Sequence, residues 1–289
     1  MARSPENAAL ALVSITVGLH RWLTDGQTGL AQTEGVSSLP GRNESCQAGA
    51  VSGSDDLRAA LRSAIFDADG RRVVATLSKG SWVELLQLAG DGLLLAVAQD
   101  ADGATELARR RAKQLRERAW EGDVDLADQL DAALGDRPAP MLRPVAVDLE
   151  ELAGILEGDP AHGGGRIDLR TGEVWPQAAI DYAREEGEVG PDDEDPDRWL
   201  PVWCEGSRAA YGDMEHFIEA LSDEDRADRL SIAISGRGAF RRFKDVLGRW
   251  PGELEAWYAF SAERQRGRAR AWLAAAGYSP RVPGRPTST

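Results

Sequence analysis

The sequence predicts an α+β protein: a mostly α-helical amino-terminal unit followed by a small three-stranded antiparallel sheet packed with helices. Three observations lead to this expectation. Apolar residues recur at helical spacing from Ser54 to Gly135. Two-residue alternation first appears at Arg166–Arg170 and Glu173–Trp175, on either side of Thr171-Gly172. Helical spacing then returns from Tyr211 to Leu273. The chain, 289 residues long, has room for one large domain or two smaller ones, each able to bury a core.

In chain order, Ala8–Leu19 with Arg3 before it has the look of a secretory h-region. No small-x-small cleavage site follows at the proper distance, and the run is too short to span a bilayer. Residues 24–54 are rich in Gly, Ser, Gln, Thr and Asn, so residues 1–53 are expected to be a disordered or loosely attached leader. Ser54 is placed to cap a helix with Leu57, Leu61, Ala64 and Ile65 on one face. Ser81 and Glu84 form a capping box ahead of Trp82, Leu85, Leu86 and Leu88, and Gly90-Asp91-Gly92 is expected to interrupt that helix before Leu93. A further helix spans Thr105–Trp120. Asp123 caps the last of the group, with Leu126, Leu130 and Leu134, which Gly135 ends. Residues 54–136 are thus expected to form a helical domain, with Arg137-Pro138-Ala139-Pro140 as linker.

A second domain is expected over residues 145–278. Asp148–Glu157 is a short helix and the hairpin follows it. Between Tyr182 and Arg198 lies an acidic loop with eight Asp/Glu. Trp199–Trp203 is a third strand, at an edge because Pro201 cannot donate to a ladder. Ser207 caps a helix with Met214, Phe217 and Ile218. Ser222 with Asp225 starts another, closed by Gly236. Pro251 opens a helix or helix pair running to Ala276. The tail from Tyr278 is expected to fray, with 279–289 flexible.

A net charge of −14 and an isoelectric point near 4.8 disfavour general nucleic-acid binding and docking on anionic lipid. Cys46 and Cys204 stand alone and suit a reducing cytoplasm. His20, His162 and His216 are too scattered for a zinc site.

The candidate site is an anion-binding turn and helix: Gly236, Arg237, Gly238, Arg241, Arg242 and Lys244. The glycines let successive N–H groups converge at a helix start, and the side chains add positive charge. A plainer reading stands beside it. Gly236 ends a helix, Phe240, Phe243, Leu247 and Trp250 are a core stripe, and Arg241 pairs with Asp245. Arg264, Arg266, Arg268 and Arg270 read as a solvated face. Arg264 shares a side of the helix with Arg268, and Arg266 with Arg270. Asp213 and His216 are neighbours on one helix face but lack a third committed ligand. His162 falls in a Gly-rich loop, and Cys204, next to Trp203 near a strand end, is expected to be packed rather than reactive. No Walker loop, nucleophile elbow, dinucleotide fingerprint or EF-hand loop is present, so no catalytic residue, metal or cofactor is assigned.

The segments Ile167–Val174, Asp195–Pro201, Tyr211–Ile218, Gly236–Asp245, Trp257–Phe260 and Arg268–Leu273, in that order, resemble the UPF0158 family over residues 147–277. That family is uncharacterised. The resemblance implies a domain boundary and no chemistry. The combined expectation is a cytoplasmic, bacterial-type, non-enzymatic binding or adaptor protein, its partner a protein or a small anionic ligand. The alternative is an enzyme or regulator acting on a phosphorylated ligand or nucleic acid through the cations of 237–244.

Overall fold

The computed structural model describes residues 48–80, 82, 84–187 and 195–281. The leader up to residue 47, Ser81 of the expected capping box, residues 188–194 of the acidic loop and the tail beyond Arg281 lie outside the described residues. Residues 47–289 group into one compact unit. The described residues hold eleven α-helices, a three-stranded antiparallel sheet and one parallel strand pair, an α+β architecture.

Five helices come first: α1 (Ala48–Phe66), α2 (Gly70–Leu77), α3 (Leu86–Ala98), α4 (Ala104–Arg118) and α5 (Asp123–Ala133). Ser54 lies inside α1 rather than capping it. Asp69 caps α2 by accepting from the N–H of Arg72 at 3.0 Å. The helix α3 is buried along most of its length and packs against α1, α2, α4 and α5, which explains why it is apolar on every side. It also runs straight through Gly90-Asp91-Gly92, where the sequence predicts a break. The glycines are contact points. A Cβ at Gly90 would sit 2.5 Å from Cδ2 of the fully buried Leu126 in α5. Leu61, Val73, Leu86, Leu93, Leu115, Leu126 and Leu130 make the first apolar core.

Strand β1 (Arg143–Val145) then leads into α6 (Leu149–Leu156), capped by Asp148 through the N–H of Glu150 at 2.7 Å. Strands β2 (Gly165–Asp168), β3 (Val174–Pro176) and β4 (Trp199–Val202) form the sheet in the order β3-β2-β4, so the expected hairpin is present and β4, with Pro201, is an edge strand. Ile167 lies opposite Val174 and Leu200. Its face joins Leu152, Leu156 and Val202 in a second core. Helix α7 (Gln177–Glu185) follows β3 and takes up the first part of the segment read as an acidic loop.

Helices α8 (Arg208–Glu219), α9 (Glu224–Ile234) and α10 (Ala239–Leu247) pack Met214, Phe217, Leu230, Phe243 and Leu247 around Trp257 in a third core. The N-cap of α9 is Asp223, which accepts from the N–H of Arg226 at 3.0 Å, one residue beyond the predicted Ser222. Helix α11 (Pro251–Ala275) is a single 25-residue rod opened by Pro251, as the proline position predicts. The tail does not fray at Tyr278. Strand β5 (Tyr278–Pro280) pairs in parallel with β1, and the Arg143 guanidinium lies 4.7 Å from the centre of the Tyr278 ring.

Candidate functional site

The turn between α9 and α10 holds the six residues singled out from sequence. Ser235 leaves α9 in an extended conformation, and Gly236 and Gly238 take left-handed φ values of +79° and +76°. Non-glycine side chains rarely adopt that geometry, so two glycines in three residues are what lets four residues reverse the chain. Phe243 and Leu247 then anchor α10 from beneath. The Phe243 ring meets Trp257 edge-on at 4.8 Å, and Phe217 packs against Trp257 at 5.4 Å.

The cations have separate tasks. Arg242 folds back under the turn. Its Nε donates to the carbonyl of Ala233 at 2.9 Å, and its terminal nitrogens donate to Ser235 at 2.6 Å, to Gly236 at 3.3 Å and to Arg237. A guanidinium at these carbonyls satisfies the open end of α9 and meets the negative end of its dipole. Arg242 is therefore a brace for the turn. Arg237, Arg241 and Lys244 face solvent, with Arg241 loosely paired to Asp245 at 3.9 Å across one helical turn. Two large apolar side chains flank the turn, Ile232 at 75% exposure and Phe240 at 37%. The structure thus brings Gly236, Gly238 and Arg242 together and leaves three cations outward.

The other polar candidates resolve differently. The arginines of α11, read as a solvated face, are largely buried against carboxylates, and they share two of them in pairs. Arg264 and Arg268 reach Asp213 of α8 at 2.9 and 2.8 Å, and Arg268 also holds Glu157. Arg266 meets Asp91 at 2.6 Å and Glu150 at 3.1 Å. Arg270 meets Asp91, Gln87 at 2.9 Å and Gln129 at 3.0 Å. Asp213 is thus committed to arginines, while His216 turns its Nδ1 to the carbonyl of Gly212 at 2.8 Å, so the two make no acid–base pair. Glu263 is 2% exposed and accepts from the backbone N–H groups of Gln87 and Leu88 at 2.7 and 3.1 Å. These are free donors at the start of α3, a helix with no side-chain cap of its own. Burial pushes the Glu263 carboxyl above its ordinary pKa, against the pull of Arg118. Burial also lifts Asp91, but Arg270 and Arg266 outweigh it and hold the group below the usual aspartate value. Arg111, buried with one donor on the carbonyl of Trp82 at 3.0 Å, is pushed down to about 10 by desolvation.

This network was hidden because alternating arginines on a helix are usually solvated, and every partner lies far off in sequence. One signal was available: Asp91, a charge flanked by two glycines inside an apolar run. Cys204 sits 2.9 Å from the carbonyl of Gly158. Among the described residues no three of His, Cys, Asp and Glu converge as a metal site would require, and no helix is long and apolar enough to cross a membrane.

No solved structure matches the chain. The chain is 28% identical over 153 residues to the UPF0158 protein PA5073 of Pseudomonas aeruginosa, a match covering 51% of this chain and 94% of that protein. The model of the uncharacterised protein family UPF0158 matches residues 179–282, from within α7 to just past β5. The carboxy-terminal part of this chain, with the braced turn and the arginine-bearing α11, is thus similar to the uncharacterised family UPF0158.

Proposed function

We propose that the chain is a non-enzymatic, cytoplasmic binding or adaptor protein that meets an acidic partner protein through the outer side of the α9–α10 turn. One observation supports this reading above others: Arg237, Arg241 and Lys244 are exposed beside the exposed Ile232 and Phe240, on a turn held rigid by Arg242. Rigid presentation lowers the ordering cost of association, and apolar side chains next to like charges favour a partner that is both acidic and apolar. A phosphate-rich partner would use the cations and leave Ile232 and Phe240 idle. The overall charge of −14 and Asp245 on the same face oppose it too.

The test is fluorescence anisotropy with three labelled probes: an amphipathic Glu/Leu helical peptide, a single-stranded RNA oligonucleotide and a phosphoserine peptide. The peptide rich in Glu and Leu should bind, and Arg241→Glu with Lys244→Glu should weaken it about tenfold or more. Tighter binding of the RNA or the phosphopeptide, with a steep salt dependence lost in the same double variant, would replace this reading with the phosphate-directed one.

A further inference from the structure

Helix α11 has two polar faces, and they serve different parts of the chain. Arg264 and Arg268 turn to Asp213 and Glu157 within the carboxy-terminal segment. Glu263, Arg266, Gly267 and Arg270, at spacings of three, four and seven, form the other face and meet the helices of residues 48–136, with Arg266 also reaching Glu150 of α6. That second contact differs from the cores on either side of it. The first apolar core draws its buried members from residues 61–130, and the second and third draw theirs from residues 145–278. Ala259 is the partly buried residue of α11 that leans across. Between the cores runs a seam of ions and amides, with Trp120 edge-on to Phe260 at 5.3 Å at its margin.

Seams between domains of one chain are more polar than obligate interfaces, and each domain has its own hydrophobic core, whereas one folding unit shares its apolar core across such a boundary. The fit here is tight. Gly267 of α11 lies on the Glu121–Gly122 turn so closely that a Cβ on it would sit 2.2 Å from the carbonyl oxygen of Glu121. The family match starts at residue 179, and the Pseudomonas relative is too short to hold both the helices of 48–136 and residues 179–282. The carboxy-terminal segment therefore occurs without these helices.

We infer that the Glu263–Arg270 face of α11 is a docking face for a helical module, filled in this chain by the fused helices of residues 48–136. Its chemistry defines what it accepts. Glu263 takes the free N–H groups of a helix start, Arg266 and Arg270 take an aspartate about one turn further along, and Gly267 admits a backbone at close range. The α9–α10 turn plays no part in it, so this inference stands or falls apart from the proposed function.

The test uses the full chain with a protease site placed in the exposed 137–140 connection. After cleavage the two pieces should stay together on size exclusion at low salt. Asp91→Asn should raise the concentration at which they part by about a hundredfold or more, since it strips a buried carboxylate from two arginines. Arg266→Gln, made on the opposite side, should also weaken the pair. Each separated piece should keep its helical circular dichroism and its own melting transition, which also exposes a folding defect confined to one variant piece. Pieces that lose their helical signal on parting would show a single shared core and overturn the inference. Association indifferent to both substitutions would overturn it as well.

Discussion

Asp91 can carry a charge within α3, the most apolar of the described helices, because two guanidinium groups reach it from α11. Removing that charge leaves Arg266 and Arg270 buried with too little compensation. Asp91→Asn should destabilise the protein by about 3–5 kcal/mol near neutral pH. The pH dependence follows from the depressed folded pKa. The contribution of Asp91 is present above its ordinary value of 3.8 and is lost as pH falls through the lower folded value. Urea denaturation at stepped pH should therefore show the gap between variant and wild type constant above about pH 5 and closing in strong acid. Glu263 has the opposite sign: its raised pKa gives a contribution complete below 4.5 and lost as pH rises through the folded value. At the candidate site, Arg242→Ala should cost about 1–2 kcal/mol, through carbonyls at the end of α9 left without a donor. Arg241→Ala, on a side chain 90% exposed, should stay within about 0.5 kcal/mol of wild type. Thermal melts of the pair would separate brace from exposed cation.

At the scale of elements, α3 decides between two opposing effects. Intrinsic propensity says that Gly90→Ala should gain up to about 1 kcal/mol in a helix interior. Packing says the added methyl would press into Leu126, which is 0% exposed. Overpacking in a dense core costs about 1–3 kcal/mol, so the substitution should lower the melting temperature despite the better helix former. The same contrast explains what could be read from sequence. Thr171-Gly172 and Pro201 announced the hairpin and the edge strand because turn and ladder chemistry is local. Pro251 announced α11 for the same reason. The continuity of α3 was not legible, because its glycines answer to α5, and neither was β5, whose hydrogen-bonding partner β1 lies more than a hundred residues away. The pairing of faces on α11, Arg264 with Arg268 and Arg266 with Arg270, followed from helical spacing alone. That they are buried did not, since the carboxylates that make burial tolerable come from α3, α8 and the end of α6.

Across the whole molecule, backbone contact at Gly267 fixes how closely α11 can approach the amino-terminal helices. Gly267→Val would force the Glu121–Gly122 turn away and pull Glu263 and Arg266 off their partners together. The expected loss is at least about 1–3 kcal/mol, and hydrogen exchange should speed up at the N–H groups of Gln87 and Leu88 before it does in the sheet. The cationic side of this seam is built from arginine throughout, and the chain has only three lysines, Lys79, Lys113 and Lys244, all exposed. Guanidinium groups keep their proton at any physiological pH and ignore reagents that acylate amines. A dye or acetyl group aimed at primary amines would consequently reach Lys79, Lys113 and Lys244, the last beside the braced turn, while sparing every ion pair of α11, giving a way to tag the lysine-bearing surfaces without prising the seam apart.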